Sequence, residues 1–291
     1  MQVGVVYPQT ELPVDPATVR AYVRAVADLG YHHVLAYDHV LGADPVAYPG
    51  WTGPYDISST FHEPLVLFGF VAGFSTLELV TGVIIAPQHQ TVLLAKQATE
   101  VDILAGGRFR LGIGIGWNRV EYEGLGQEFA TRGQREEEQV ALLRRLWTER
   151  SVTHRGRFDK VTGAGIAPLP AQRPIPIWLG GQSSPAYRRI GRLADGWFPQ
   201  VQPGPMLDHA RQLVAGAAES AGRDPSALGM EGRVSLGTGG PQAAAGQVRS
   251  WQEAGATHVA VNTMGAGLLG LDEHLKALSL VAAALGLSRG E

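Results

Sequence analysis

The stretch Arg108-Phe109-Arg110-Leu111-Gly112-Ile113-Gly114-Ile115-Gly116-Trp117-Asn118 alternates bulky apolar side chains with glycine. Successive side chains of a strand point to opposite faces. Phe109, Leu111, Ile113, Ile115 and Trp117 therefore share one face, and Gly112, Gly114 and Gly116 share the other. Glycine inside a strand costs stability, so three at one parity imply that something approaches that face closely. Opposing side chains inside a closed barrel would do so, and so would a flat ligand above the last glycine. The two are compatible, with Gly112 packing while Gly116, Trp117 and Asn118 touch a ligand.

Outward from this strand the same rhythm repeats. Short apolar runs at 3–7, 34–37, 77–85, 176–181, 196–198, 229–236 and 258–262 read as further strands. Helical periodicities fill the spaces at 15–29, 63–74, 91–104, 131–149, 185–193, 206–221, 243–253 and 272–285, several opened by an Asp-Pro, Glu-Pro or Ser-Pro step. Strict alternation argues for parallel strands joined by right-handed crossovers, and eight repeats favour closure into a (β/α)8 TIM barrel over an open doubly wound sheet. The expected architecture is one domain over 1–291. Insertion segments at about 40–60 and 150–172 are expected at the C-terminal face of the strands, the second as an irregular or hairpin excursion.

Composition narrows the function. A net charge of -3 from 24 basic and 27 acidic residues spread along 291 positions offers no basic face for nucleic acid or an anionic membrane. Without cysteine there is no disulfide framework, thiolate metal site or cysteine nucleophile. The first residues lack the basic and apolar regions of an export signal, and no run is long enough to span a bilayer, so a cytoplasmic protein with a small-molecule substrate is expected.

In a barrel of this kind the active site lies at the carboxyl ends of the strands. That rule selects Asp38-His39, the segment from Thr81-Gly82 to Pro87-Gln88-His89, Gly116-Trp117-Asn118, Asn262-Thr263, and Gly180-Gly181-Gln182-Ser183. The last of these joins a strand to a helix N-terminus, which can hold a phosphate; a Ser183 or Ser184 cap with Pro185 is the purely structural reading. Asp38 and His39 could polarise a ring or relay a proton, but as neighbours on a strand they point apart and should not pair with each other. The nine histidines form no HExxH arrangement, and there is no Gly-x-Ser-x-Gly elbow, so neither a metal site nor a serine hydrolase is expected. Arg132, Arg135 and Glu136 to Glu138 read as a solvated helix face.

Several ordered motifs resemble those of the bacterial luciferase-like oxidoreductases. They are Tyr37-Asp38-His39-Val40-Leu41-Gly42, Val80-Thr81-Gly82-Val83-Ile84, Leu111 to Asn118 with Glu121, Ile177-Trp178-Leu179-Gly180-Gly181, and Asp195-Gly196-Trp197-Phe198-Pro199. Within that class the chain is similar to the branch that uses coenzyme F420, through Tyr48 to Pro54 and Phe61-His62-Glu63-Pro64. The resemblance implies a barrel holding a deazaflavin or flavin ring at its mouth, with a non-prolyl cis peptide at Gly82-Val83 behind the ring. It also implies that Asp38 and His39 contact the ring, that Asn118 lies near its polar edge, and that Gly180, Gly181, Gln182 and Ser183 form the phosphate site. His39 is the expected catalytic group. Trp117 stands where some deazaflavin dehydrogenases place an acidic proton donor, which argues against a sugar-phosphate dehydrogenase mechanism. The implied reaction is hydride transfer between F420 and a small organic substrate by a homodimer. The alternatives are an FMN-dependent monooxygenase using oxygen and a non-catalytic binding barrel.

Overall fold

In the computed structural model, which describes residues 1–288, strands and helices alternate as the periodicities require. Arg289, Gly290 and Glu291, the end of the expected single domain, lie outside the described residues. The first half contains β1 (Gln2–Val6), α1 (Pro16–Asp28), β2 (His33–Ala36), α2 (Pro64–Ala72), β3 (Glu78–Thr81), β4 (Ile84–Ile85), α3 (Thr91–Leu104), β5 (Phe109–Gly114), α4 (Arg119–Gly124) and α5 (Arg132–Thr148). A hairpin of β6 (Val152–Arg155) and β7 (Lys160–Ala164) follows. The second half is β8 (Ile177–Gly181), α6 (Ser184–Leu193), β9 (Gly196–Pro199), α7 (Pro205–Ser220), β10 (Gly229–Ser235), α8 (Gly240–Glu253), β11 (His258–Asn262) and α9 (Gly270–Leu285).

The parallel strands run β3-β2-β1-β11-β10-β9-β8-β5, and β5 pairs back with β3, so the sheet closes. Among the described residues this gives eight barrel positions, because β3 and β4 are one strand broken in two. Leu79 pairs with Phe109 below the break and Ile84 with Ile113 above it. The break is the cis peptide between Gly82 and Val83, where the resemblance implied it. Caps also fall where the sequence places them. Asp15 accepts from Ala17 and Thr18 at 2.9 and 3.0 Å, and Pro16 opens α1.

Side chains of odd or even parity sort cleanly. Val5, Val34, Leu79, Leu111, Ile177 and Val259 face the helices in the main core, while Val6, Leu35, Val80, Trp178, Phe198 and Ala260 fill the lumen. Beneath that apolar layer lies a buried ionic one. Arg110 pairs with Glu78 and Glu231 at 2.8 Å each, His33 meets Glu231 at 2.9 Å, and the Arg110 guanidinium stacks over Trp178 at 4.3 Å. Burial opposes ionisation of Glu231, but the charges of His33 and Arg110 overcome it and hold the carboxyl down at about 2.

The glycine face of β5 serves both expected purposes. A Cβ on Gly112 would lie 1.9 Å from the Thr81 carbonyl oxygen and 2.8 Å from the Phe198 ring, so the barrel itself fills that space. One on Gly114 would meet Val83 Cγ2 at 2.8 Å, at the break. The strand stops there, earlier than the alternation suggests. Gly116 has φ +63°, which turns the chain out of extended geometry and releases Trp117 from the buried face to 42 % exposure. The turn leads into α4, a short helix absent from the sequence reading.

The two insertions differ in kind. The 40–60 segment has no regular element and folds over the mouth, where Trp51 stacks on Trp117 with centroids 5.8 Å apart. The 150–172 segment leaves from the end of α5 and carries the antiparallel β6–β7 hairpin. The hairpin lies along α5, its turn held by Glu138 accepting from Arg157, Phe158 and Asp159, while Asp159 accepts from Thr91 at the start of α3.

Candidate active site

The carboxyl ends of the strands enclose a cavity of about 690 Å³. Asp38, His39, Gly82, Val83, Trp117, Gly180, Gly181, Gln182 and Ser183 all line it. Asn118 stands outside the lining. Its Oδ1 accepts from the Val120 amide at 3.0 Å to cap α4, and its Nδ2 donates to the Leu41 carbonyl at 3.2 Å.

Asp38 and His39 point apart, as strand geometry requires. Asp38 Oδ2 accepts from the Ile85 amide at 3.1 Å and lies 3.4 Å from His89 Nε2. Its Oδ1 is buried with no partner. A buried carboxylate oxygen without a donor is costly, and this one belongs to a residue that lines the cavity. On the other side His39 Nδ1 lies 3.0 Å from Glu121 Oε1, which also accepts from the Val40 amide at 3.1 Å, while Gln88 donates to Oε2 at 3.3 Å. A carboxylate only accepts, so Nδ1 carries the hydrogen of this bond and Nε2 is the ring nitrogen left for other partners. The imidazole is gripped by Phe61, Tyr55 and Trp117, with centroids at 4.7, 4.9 and 5.8 Å. The first turn of α4 thus orients the predicted catalytic histidine.

At the far end of the cavity β8 runs into α6. Ser183 caps the helix by accepting from the Ala186 amide at 3.4 Å, and Pro185 follows. A Cβ on Gly181 would strike the Ala186 methyl at 2.5 Å, so glycine lets the strand turn tightly and present its backbone to the cavity. Arg132 also lines the cavity, its Nη1 donating to the Phe129 carbonyl at 2.8 Å while its buried Nε has no partner.

Arg132 corrects the expectation of a solvated helix face. Glu136 on the same helix is 1 % exposed and meets Arg189 at 3.2 Å; burial pushes its carboxyl up to about 7 against the pull of that arginine. Glu136 points inward because α6 packs over this helix with Arg189 as its partner, while Glu137 meets Arg189 and Arg192 at a partly exposed edge. Sequence reading also passed over Glu231, Arg233 and Gln200 in the lining. Charged residues at alternate positions of β10, Gly229-Met-Glu-Gly-Arg-Val-Ser235, were the available signal, since an apolar strand with ionic residues at one parity presents them to a barrel lumen.

Residues 1–238 match the family model described as luciferase-like monooxygenase. The chain belongs to that family. Among its relatives, an uncharacterised protein of Mycobacterium tuberculosis is 30 % identical over 164 residues, 56 % of this chain and 58 % of its own length. The FMNH2-dependent dimethylsulfone monooxygenase of Pseudomonas fluorescens is 33 % identical over 141 residues, 47 % of this chain. The chain spans 38 % of that enzyme's length. An F420-dependent secondary alcohol dehydrogenase, solved with an F420–acetone adduct, superposes with a TM-score of 0.79 over 98 % of both chains. At 14 % identity this is a likeness of fold. Flavin and deazaflavin enzymes therefore both stand among the proteins it is similar to. Among the described residues no cluster of three or more metal-binding side chains occurs, and no helix is long and apolar enough to cross a membrane.

Proposed function

We propose that this chain is a coenzyme F420-dependent oxidoreductase, passing hydride between the deazaflavin and a small organic substrate with an activated C=C or C=N bond or an alcohol/carbonyl pair. The observation that carries the reading is the unpartnered Asp38 Oδ1 beside the Gly82-Val83 break, with the α6 N-terminus at the other end of the same cavity. A flat ring with a donor at one edge and a phosphate on its side chain meets both. Asp38 would accept from the ring and Val83 would support its face. Gly180, Gly181, Gln182 and Ser183, with Arg132, would hold the phosphate. The coenzyme supplies a hydride-carrying carbon. His39, its Nδ1–H committed to Glu121, presents Nε2 as proton acceptor or relay at the reacting centre, while Trp51, Trp117 and Tyr55 exclude water from above.

The similarity to the dimethylsulfone monooxygenase favours a second reading, an FMN-dependent monooxygenase in the same cavity. Fluorescence titration of the purified protein with F420 and with FMN separates them. Tight F420 binding with weak FMN binding supports the proposal, and the reverse preference overturns it in favour of oxygen chemistry. If both bind but no donor supports turnover, the barrel is a binding protein. We also propose a homodimer, because the neighbouring helices α2 and α3 expose Val66, Phe70, Val92 and Leu93, and we propose the cytoplasm as its location.

A further inference from the structure

Arg233 projects into the lumen from β10 at the same parity as Glu231 and lines the cavity. A guanidinium carries five N–H donors in a planar fork. Here two atoms are engaged, both with neutral partners: Nη1 donates to the Tyr37 hydroxyl at 3.4 Å and Nη2 to Gln200 Oε1 at 3.2 Å. Of the cavity's carboxylates, Glu231 is engaged by Arg110 and His33, and Asp38 through its Oδ2 by Ile85 and His89, so neither pairs with Arg233. Among the described residues Arg233 forms no ion pair within 4.0 Å, whereas Arg110, Arg144 and Arg189 all do. Arg233 is exposed at the open side of the cavity, and an arginine with an open fork there has capacity for one anionic group.

Its place in the barrel says which molecule brings that group. Counted in either direction around the closed sheet, β10 is four strands from the broken strand, so Arg233 faces the Gly82-Val83 break across the lumen. A ring lying against the break would turn its free face to the wall that carries Arg233. Phe198 and Ala260 flank it there on β9 and β11. One fixed charge between neutral donors and apolar walls matches a singly charged planar anion better than a phosphate, which carries up to two charges and calls for more cations.

We propose that Arg233, flanked by Tyr37 and Gln200, anchors the carboxylate of the substrate, and that the substrate class is small carboxylic acids with an apolar body. The identification of the anion as substrate rests on the cofactor reading above; the anion site itself does not. Calorimetric titration of the full chain with cinnamate and with cinnamamide tests it. Wild type binds the acid about ten- to a hundredfold more tightly than the amide. Arg233→Gln abolishes that preference while leaving affinity for cinnamamide and for F420 unchanged, and Arg233→Lys, which keeps the charge but not the fork, restores part of it. Equal or absent binding of acid and amide by wild type overturns the proposal, as does a preference that survives in Arg233→Gln. Loss of F420 affinity in parallel with loss of cinnamate affinity also overturns it, assigning Arg233 to the cofactor. If neither F420 nor FMN binds while the preference for acid still depends on Arg233, the cofactor reading fails and the anion site stands.

Discussion

Replacing Gly112 with alanine asks how firmly the barrel closes around its broken strand. The added methyl would sit 1.9 Å from the Thr81 carbonyl oxygen, and a carbon–oxygen contact rests at about 3.3 Å, so one backbone must retreat by roughly 1.4 Å. Neither is free to do so. Thr81 Oγ1 donates to the Gly112 carbonyl at 2.8 Å, the next amide, that of Gly82, donates to Ala36 at 2.8 Å, and the Phe198 ring blocks the lumen side at 2.8 Å. Overpacking costs about 1–3 kcal/mol, and a clash with clamped backbone belongs at the top of that range. In a chain of this size about 3 kcal/mol lowers the melting temperature by about 6–12 °C. Two other glycines calibrate the effect. Gly114→Ala meets only the end of Val83 at 2.8 Å and should cost about 1 kcal/mol or less, with its main effect on ring binding. Gly216→Ala, in the exposed body of α7 with nothing within 4 Å, should gain up to about 1 kcal/mol. Urea unfolding followed by circular dichroism ranks the three. A Gly112→Ala protein within about 1 kcal/mol of wild type would refute the packing account of the glycine face.

The remaining predictions concern charge, chemistry and assembly. The His258 imidazole, driven down to about 3 from 6.5 by burial and by Arg110, stays neutral in the fold where the unfolded chain would take up a proton. Stability should therefore fall as pH drops from 6.5 towards 3, and His258→Asn should flatten that slope in urea titrations between pH 7 and 5. Glu231, held at about 2 against 4.5, adds about 3 kcal/mol that is present above pH 4.5 and lost as pH falls towards 2, so acid unfolding should steepen below pH 4.5. His39→Ala should retain coenzyme affinity and lose about a hundredfold or more in turnover. Glu121→Gln should lose less, about tenfold, with a shifted pH–rate profile, and an unchanged profile would remove Glu121 from its positioning role. Leu93→Glu, on the exposed apolar face of α3, should yield a smaller species in analytical ultracentrifugation if α2 and α3 pair across a dimer.

The strand and helix order was legible in the sequence because each unit carries its own periodicity and punctuation: Asp15-Pro16, Glu63-Pro64 and Ser183-Ser184-Pro185 open helices where those caps are found. Parity is equally local, and it correctly set the glycines of β5 against the lumen. Asp38, His39, Gly82, Val83, Trp117 and Gly180 to Ser183 gathered into one cavity for the same reason, since a barrel of parallel strands brings every carboxyl end to one mouth, whereas Asn118, Asn262 and Thr263 lie outside its lining. The family resemblance placed the break at Gly82-Val83, which periodicity alone had run through as continuous strand.

Only the tertiary structure decided the pairings that give those residues their chemistry. Glu121 lies far along the chain from His39, and nothing local distinguishes a carboxylate that will orient an imidazole from one that faces water. Asn118 fits a ligand contact by position, yet its side chain is spent on the cap of α4, a helix too short to announce itself. Glu136 reads as surface because its partner Arg189 arrives from α6, Arg132 because the cavity it lines is built from other elements, and Arg233 reads as one charge in an ordinary strand until the closed sheet sets it opposite the break. Propensity and pattern act over a few residues and determine the elements. Electrostatic partnership and the facing of two walls are properties of closure, and they appear only when all eight strands meet.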